Sequence, residues 1–332
     1  MRPRLIPPLL IRRIGLACIV SLAAYALAFD VFLDRPLTYG SLAHDIEQKI
    51  ARAEAIPTEK KLVVLAGSNG PYSHRCEVME KILARPCINA GVAVGIGLDY
   101  LFARWDSLLV AGDTLYLPME PEQYTRTRAA AETGPDAAIM ARHDRATLAT
   151  LPPSRWLAAF FSFDLRAGIM SAIEMLLRAT RFSDPRAAIS GETNAWGDHI
   201  GHDAARATLN AAALRAMTPQ PPDAKEIRAG HGAALIAAFT RRMQARGVRV
   251  IGGLSTGFLD APLSLAAIAA IAAVYTDNGG FFLALPNLSR YPRADFFDSP
   301  EHLSEPYQIA HARAVALALA PLIGRSMTAE SQ

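Results

Sequence analysis

Apolar and polar positions alternate along this chain in a strand-then-helix rhythm. Short, continuous apolar runs occupy 62–65, 87–89, 114–117, 248–252 and 281–285. Stretches with helical spacing cover 71–84, 98–110, about 223–246 with Gly247 at the stop, 261–275 and 305–322. Strands separated by helices of this length predict a parallel sheet covered on both faces. Continuous apolar strands, rather than alternating ones, fit burial on both faces. An amphipathic helix is predicted over 39–55, set off by a polar break at 57–61. The middle, about 129–217, offers no clear strand and reads as a helical insertion. Within it, 156–177 is rich in Phe, Met and Leu around Asp164, Arg166 and Glu174. It reads as a core or lid helix, with an interfacial helix lying on a membrane as the alternative. The apolar stretch 261–275 is too short to span a bilayer and reads as a buried helix.

The N-terminus has a different pattern. Arg2, Arg4, Arg12 and Arg13 precede an apolar run from Ile14 to Phe29, which Asp30 interrupts and 31–33 continue. Read through to Leu33, the run has the roughly 20 residues that a helix needs to cross a bilayer. Arginines before it and none within it put the N-terminus in the cytoplasm and the rest outside. Ala26-Leu27-Ala28 also resembles a cleavage site, which would make the segment a removable signal peptide. Arg12-Arg13 is a weak twin-arginine match. The expected organisation is a cytoplasmic 1–13, a signal-anchor at 14–33, a linker and helix at 34–60, and an α/β domain over 61–325 carrying the insertion.

With 332 residues, 51% hydrophobic, the chain can bury a sizeable core. A net charge of +3, dispersed, with no basic run and no zinc-finger spacing, sets nucleic acid aside. Of three cysteines, Cys18 lies in the anchor. Cys76 and Cys87 would lie in an oxidising compartment, where they either pair or remain two buried thiols.

Two places carry candidate chemistry. In Leu65-Ala66-Gly67-Ser68-Asn69-Gly70-Pro71, an apolar strand ends in a serine at a turn into a helix. Such a serine stands at the C-terminal edge of the sheet, where open α/β sheets bind ligands. The helix that follows aims its free N–H groups at the same place. Gly67 and Gly70 are expected to supply the turn and let substrate approach. Otherwise Ser68 simply caps the helix. His302 lies between the last strand and the last helix, at the same edge. It is a suitable base for a serine hydroxyl. Asp298, Asp295 and Glu301 are candidate orienting acids. Asp198-His199-Ile200-Gly201-His202 is a possible metal pair; a substrate loop or a solvated loop is the plainer reading.

Together these residues resemble the SGNH (GDSL-type) hydrolase superfamily. The closer resemblance is to its membrane-anchored branch, which acts on bacterial envelope and exported polysaccharides, often beside a membrane-bound O-acyltransferase. Leu65-Ala66-Gly67-Ser68-Asn69 matches the first block, with Ser68 as nucleophile. Asn89-Ala90-Gly91-Val92-Ala93-Val94-Gly95 looks like the second, with Gly95, or alternatively Gly91, giving an oxyanion N–H beside that of Ser68. Asp298-Ser299-Pro300-Glu301-His302-Leu303 looks like the last, with His302 as base. The resemblance implies a three-layer, flavodoxin-like parallel sheet. The sequence departs from it twice. Ser299 stands where the acid is usual, three residues before the histidine, leaving Asp298 or a Ser–His dyad. No asparagine follows the third strand; Glu120 stands in that region, and losing such a donor commonly costs about 10²–10³ in rate.

The function expected is a serine esterase or O-acyltransferase acting on acyl esters, acetyl above all, of an exported or cell-envelope polysaccharide. Ser68, His302 and Asp298 would be catalytic. Asn69, Glu120, Asn194, Asp198 and His199 are candidate substrate contacts. No metal or cofactor is expected. Expected partners are the polysaccharide or acyl ester, the inner membrane and a membrane-bound O-acyltransferase, with the main domain in the periplasm. The alternative is a non-catalytic accessory protein with the same fold; a His199/His202 metallohydrolase is a third.

Overall fold

The structure, a computed structural model, describes residues 7–32, 37–56, 60–161 apart from 133 and 135, the single positions 169, 172, 173, 176 and 180, and residues 192–324. Most of the expected 156–177 helix therefore lies outside the described residues. Helix α1 (Pro8–Phe32) is long and apolar enough to cross a membrane, and residues 8–24 of it are exposed. Helix α2 (Leu37–Glu54) follows. Its Ala43, Ile46, Ile50 and Ala53 recur at helical spacing and enter the core.

The centre is a sheet of five parallel strands. They are β1 (Leu62–Val64), β2 (Cys87–Asn89), β3 (Thr114–Leu117), β6 (Arg249–Gly253) and β8 (Phe281–Leu283), in the order β2-β1-β3-β6-β8. All five runs read as strands from the sequence are strands. Strand order reverses direction at β1, which makes a switch point between β1 and β3 at the C-terminal edge. Successive side chains of a strand point to opposite faces. Val63 and Leu65 join a core with α2, α5 (Leu98–Asp106) and helices His231–Ala245 and Leu265–Thr276. Leu62 and Val64 join a second core with α4 (Cys76–Leu83) and the closing helix Glu305–Ile323.

Three elements differ from the sequence reading, each because of a tertiary partner. The helix expected over 71–84 is two helices, α3 (Asn69–Ser73) and α4, with His74 extended between them. The Asn89 amide holds the break by donating to the carbonyls of Gly70 at 2.9 Å and His74 at 3.1 Å. The helix expected over 223–246 breaks at Gly230, where a Cβ would come within 2.0 Å of the Tyr124 carbonyl. The supposedly strandless middle contains a small antiparallel pair, β4 (Glu192–Thr193) with β5 (His199–Ile200). Its turn is made by Asn194, whose side-chain oxygen accepts from the N–H groups of Trp196 and Asp198, and by Gly197 at φ 86°. Before it come α6 (Pro121–Thr125), α7 (Arg128–Glu132), α8 (Asp136–His143), α9 (Arg145–Thr150) and α10 (Pro153–Phe160). A last parallel pair, β7 (Gly257–Phe258) with β9 (Arg290–Tyr291), lies outside the main sheet. Cys76 and Cys87 form a disulfide with Cα atoms 5.2 Å apart, tying the start of α4 to β2.

Candidate functional site

Ser68 follows β1 and precedes α3, at the C-terminal edge of the sheet. Its side chain caps nothing. Instead its Oγ donates to Glu120 Oε1 at 3.2 Å, and the Asn69 N–H donates to the same oxygen at 3.0 Å. Gly67 makes room for this carboxyl: a Cβ there would lie 2.3 Å from Oε1. Gly70 meets the backbone of Gly91 in the same way, at 2.7 Å. Neither glycine has a positive φ; the Gly70 N–H donates to the Gly67 carbonyl at 3.0 Å, closing the turn expected of them, and both also allow close packing.

The loop after β9 brings in the histidine. The His302 N–H donates to the Ser299 carbonyl at 3.3 Å, closing a turn. That turn sets residues four apart face to face, and Asp298 Oδ1 meets His302 Nδ1 at 2.6 Å. The acid thus sits one residue before the usual place, while Ser299 Oγ accepts from the Glu301 N–H. Ser73 fastens the loop to α3: its hydroxyl donates to the Glu301 carbonyl at 2.6 Å and accepts from the Leu303 N–H at 3.2 Å. Tyr72 stacks on the His302 ring at 4.0 Å and on the His199 ring at 4.2 Å, so the phenol lies between two imidazoles. The other nitrogen of His302, Nε2, is buried with no hydrogen-bond partner.

Ser68 and His302 line one cavity of about 600 Å³, together with Val94, Glu120, Phe258 and Arg290. No hydrogen bond joins Ser68 Oγ to His302 Nε2. Burial pushes the Glu120 carboxyl up, against the pull of the Asn69 N–H, His302 and Ser68. Burial, with Glu120 nearby, raises Glu301 to about 7. Burial lowers the Arg290 guanidinium to about 10, against Glu301.

The remaining predicted residues separate. Asn69 is buried, its amide donating to the Pro118 carbonyl at 2.7 Å, and it does not line the cavity. Asp198 is fully buried and accepts from the Cys76 and Glu77 N–H groups and the Asn89 and Asn194 amides. It caps α4, and Asn194 builds the turn beside it; neither is placed to touch a ligand in the cavity. His199 reaches the site only through Tyr72. The Gly91 N–H is taken by the Asn89 side chain at 3.3 Å. Gly95 lies next to the cavity wall at Val94, and its carbonyl accepts from Arg126 at 2.9 Å. Among the described residues no cluster of His, Cys, Asp and Glu could hold a metal ion. Burial holds His199 down to about 3 and His202 to about 4. Sequence reasoning missed Tyr72, Phe258, Arg290 and Thr256, which also lines the cavity. Only the Pro71-Tyr72 step beside Ser68 was a usable signal; Phe258 and Arg290 arrive on β7 and β9, remote in sequence.

No family model, curated protein or solved structure matches the chain.

Proposed function

We propose that this protein transfers or hydrolyses acyl groups, acetyl above all, on an exported or cell-envelope polysaccharide, through Ser68. The observation that carries the reading is the cavity shared by Ser68 and the Asp298–His302 pair at the C-terminal edge of a parallel sheet. Asp298 accepts from His302 Nδ1–H, which leaves the unpartnered Nε2 as the proton acceptor. Ser68 Oγ bonds to the ester carbonyl carbon as its proton passes to Nε2. The bond to the alcohol oxygen then breaks, and that oxygen takes the proton. Water or a sugar hydroxyl, deprotonated by the same nitrogen, releases the acyl group. Water gives an esterase, sugar an O-acyltransferase.

Glu120 must be neutral for this to proceed. An ionised carboxylate about 4 Å from a forming oxyanion would oppose it by roughly 4 kcal/mol at an effective dielectric of 20. A protonated carboxyl there is instead a donor, in the region where the resemblance leads one to expect an asparagine. The N–H groups of Ser68 and Gly95 are the backbone donors in this reading. Its resemblance to the SGNH superfamily rests on the sequence blocks around Ser68, Gly95 and His302. The Cys76–Cys87 disulfide and the arginines before the apolar run at Ile14 support a main domain outside the cytoplasm, anchored in the inner membrane. A membrane-bound O-acyltransferase is the proposed partner.

The test is labelling of the purified full chain by a fluorophosphonate serine probe. Labelling that Ser68→Ala abolishes and His302→Ala sharply slows is the expected result. A wild-type Ser68 that never reacts sinks the reading. One observation favours a non-catalytic accessory role: the Ser68 hydroxyl is engaged by Glu120, not His302. That reading expects Ser68→Ala to be harmless in the cell while loss of α1 abolishes function.

A further inference from the structure

A helix at a water-facing surface turns its polar side chains out and its apolar ones in. Helix α10 is built the other way round. Arg155, 1% exposed, points into the protein. Its guanidinium donates to Asp99 at 2.8 and 2.9 Å, to the Glu132 carbonyl at 2.7 Å, and to Asp136. Ala159, one turn on, is buried beside it. Trp156 and Leu157, and Phe161 just beyond the helix, are 47%, 64% and 59% exposed. This orientation is locked. Rolling the helix to hide the tryptophan would strip fully buried Asp136 of its cation, and a buried carboxylate without a partner is costly. In its described part, then, the stretch read from sequence as a core or lid helix, or alternatively as an interfacial one, presents Trp156, Leu157 and Phe161 outward.

Helix α1 fixes where that side lies. The Tyr25 hydroxyl donates to the Phe160 carbonyl at 2.7 Å. The Phe160 ring packs 5.5 Å from Tyr25 and 5.4 Å from Phe29, and Phe161 stacks on Tyr25 at 5.7 Å. Tyr25 and Phe29 close the apolar stretch Pro8–Phe29 of α1. The C-terminal end of α10 is therefore held at the end of the membrane-crossing stretch. At about 1.5 Å per residue, Trp156 lies only about 6 Å further along. Tryptophan and tyrosine belong at that depth, where an amphipathic ring meets both headgroups and acyl chains.

We propose that α10 lies on the membrane that α1 crosses, with Trp156, Leu157 and Phe161 seated in the headgroup–acyl boundary of the leaflet at the C-terminal end of α1. The protein then has a second, in-plane contact with the bilayer, which fixes the domain's orientation above it rather than leaving it on a tether. The occupant is lipid, because the surface continues directly from the span. The proposal rests on α1 being a membrane span.

The full chain, reconstituted in phosphatidylcholine–phosphatidylglycerol vesicles, is compared with vesicles whose phosphatidylcholine is brominated high on the acyl chain. Trp105 is buried in the core, and Trp196 is held by Glu80 and Arg52. The expected result is quenching of tryptophan emission that falls by at least half in Trp156→Phe. A second variant, Leu157→Cys in a Cys18→Ser background, labelled with nitrobenzoxadiazole, is expected to brighten and shift blue in vesicles. A chain that floats with the vesicles yet shows no quenching, or equal quenching in Trp156→Phe, overturns the proposal and leaves the span standing. A surface covered by a protein partner gives that same unquenched result in pure lipid. A chain that does not float overturns the span, and this proposal with it.

Discussion

A carboxyl 3.2 Å from a serine hydroxyl has opposite effects in its two protonation states. Neutral, Glu120 can donate to a developing oxyanion; ionised, it repels one. Burial raises its pKa, so it is neutral below that value and ionised above it. The charged groups facing it are Glu122 from its own helix, and Glu301 and His302 from the opposite loop, with Arg290 acting on Glu301. Esterase activity should fall as pH rises through the Glu120 pKa. Glu120→Gln should keep activity and lose that alkaline limb, because an amide donates at every pH. Glu120→Ala should lower kcat by about 10²–10³, the usual cost of one oxyanion donor. Steady-state rates on an activated acetyl ester across pH separate the cases, and a dead Glu120→Gln would make the carboxylate a base instead. Ser68 and His302 were legible because each sits at a strand-to-helix junction of an alternating pattern. Their neighbour Glu120 was visible only as a misfit, since no local rule says that its carboxyl turns back to the serine. Gly91→Ala, which forces a Cβ within 2.7 Å of Gly70 Cα and Pro71 Cδ, should cost about 1–3 kcal/mol in urea unfolding.

At the scale of elements, α4 depends on groups far from it in sequence. Asp198 accepts from its first two N–H groups and from two amides, so Asp198→Ala leaves the two N–H groups and the Asn194 amide without this acceptor, while Asn89 keeps the Gly70 and His74 carbonyls. A loss of about 3 kcal/mol or more is expected by denaturant titration, from broken buried hydrogen bonds. An unchanged KM in whatever protein remains folded fits a structural role and counts against Asp198 as a substrate contact. The disulfide closes α4 onto β2, and Cys76→Ser with Cys87→Ser should cost about 2–4 kcal/mol. These dependences explain the boundary errors. Apolar spacing shows helix over 71–84, but the break at His74 belongs to Asn89, and the break at Gly230 to the Tyr124 carbonyl. The Asp298–His302 pairing is an element property too: a turn closed by Ser299 puts residues four apart in contact where three was the expected offset.

For the whole molecule, four buried histidines make stability fall in acid. Burial holds His74 and His202 at about 4, His199 at about 3 and His311 well below its ordinary 6.5. The unfolded chain takes up these protons near 6.5 while the folded chain refuses them. Their stabilisation is therefore present above pH 6.5 and is lost as pH falls toward 4, by up to about 1.4 kcal/mol per unit for each histidine. The raised carboxyls of Glu120, Asp136, Asp198 and Glu301 act the other way. A single-site difference isolates the effect. His202 is fully buried and neither ring nitrogen has a partner, so His202→Leu should raise Tm and flatten its fall between pH 6.5 and 5. An unchanged slope would show that His202 is not a neutral buried imidazole.

The sequence by itself determined the five parallel strands, the helices that cover them, the apolar N-terminal helix and the edge at which Ser68 and His302 sit. All of these follow from periodicity and chain order, which are local or topological. Tertiary structure alone decided which groups face the serine. It put Glu120 on the hydroxyl, drew Asp298 to His302, set Tyr72 between two imidazoles, and turned Asp198 from a candidate ligand contact into a helix cap. It also turned the aromatic side of α10 outward, because Arg155 found its carboxylates inside the protein. Such contacts join residues tens to hundreds of positions apart. They are fixed by the balance of burial against pairing at one place in space, which hydrophobic spacing along a chain does not encode.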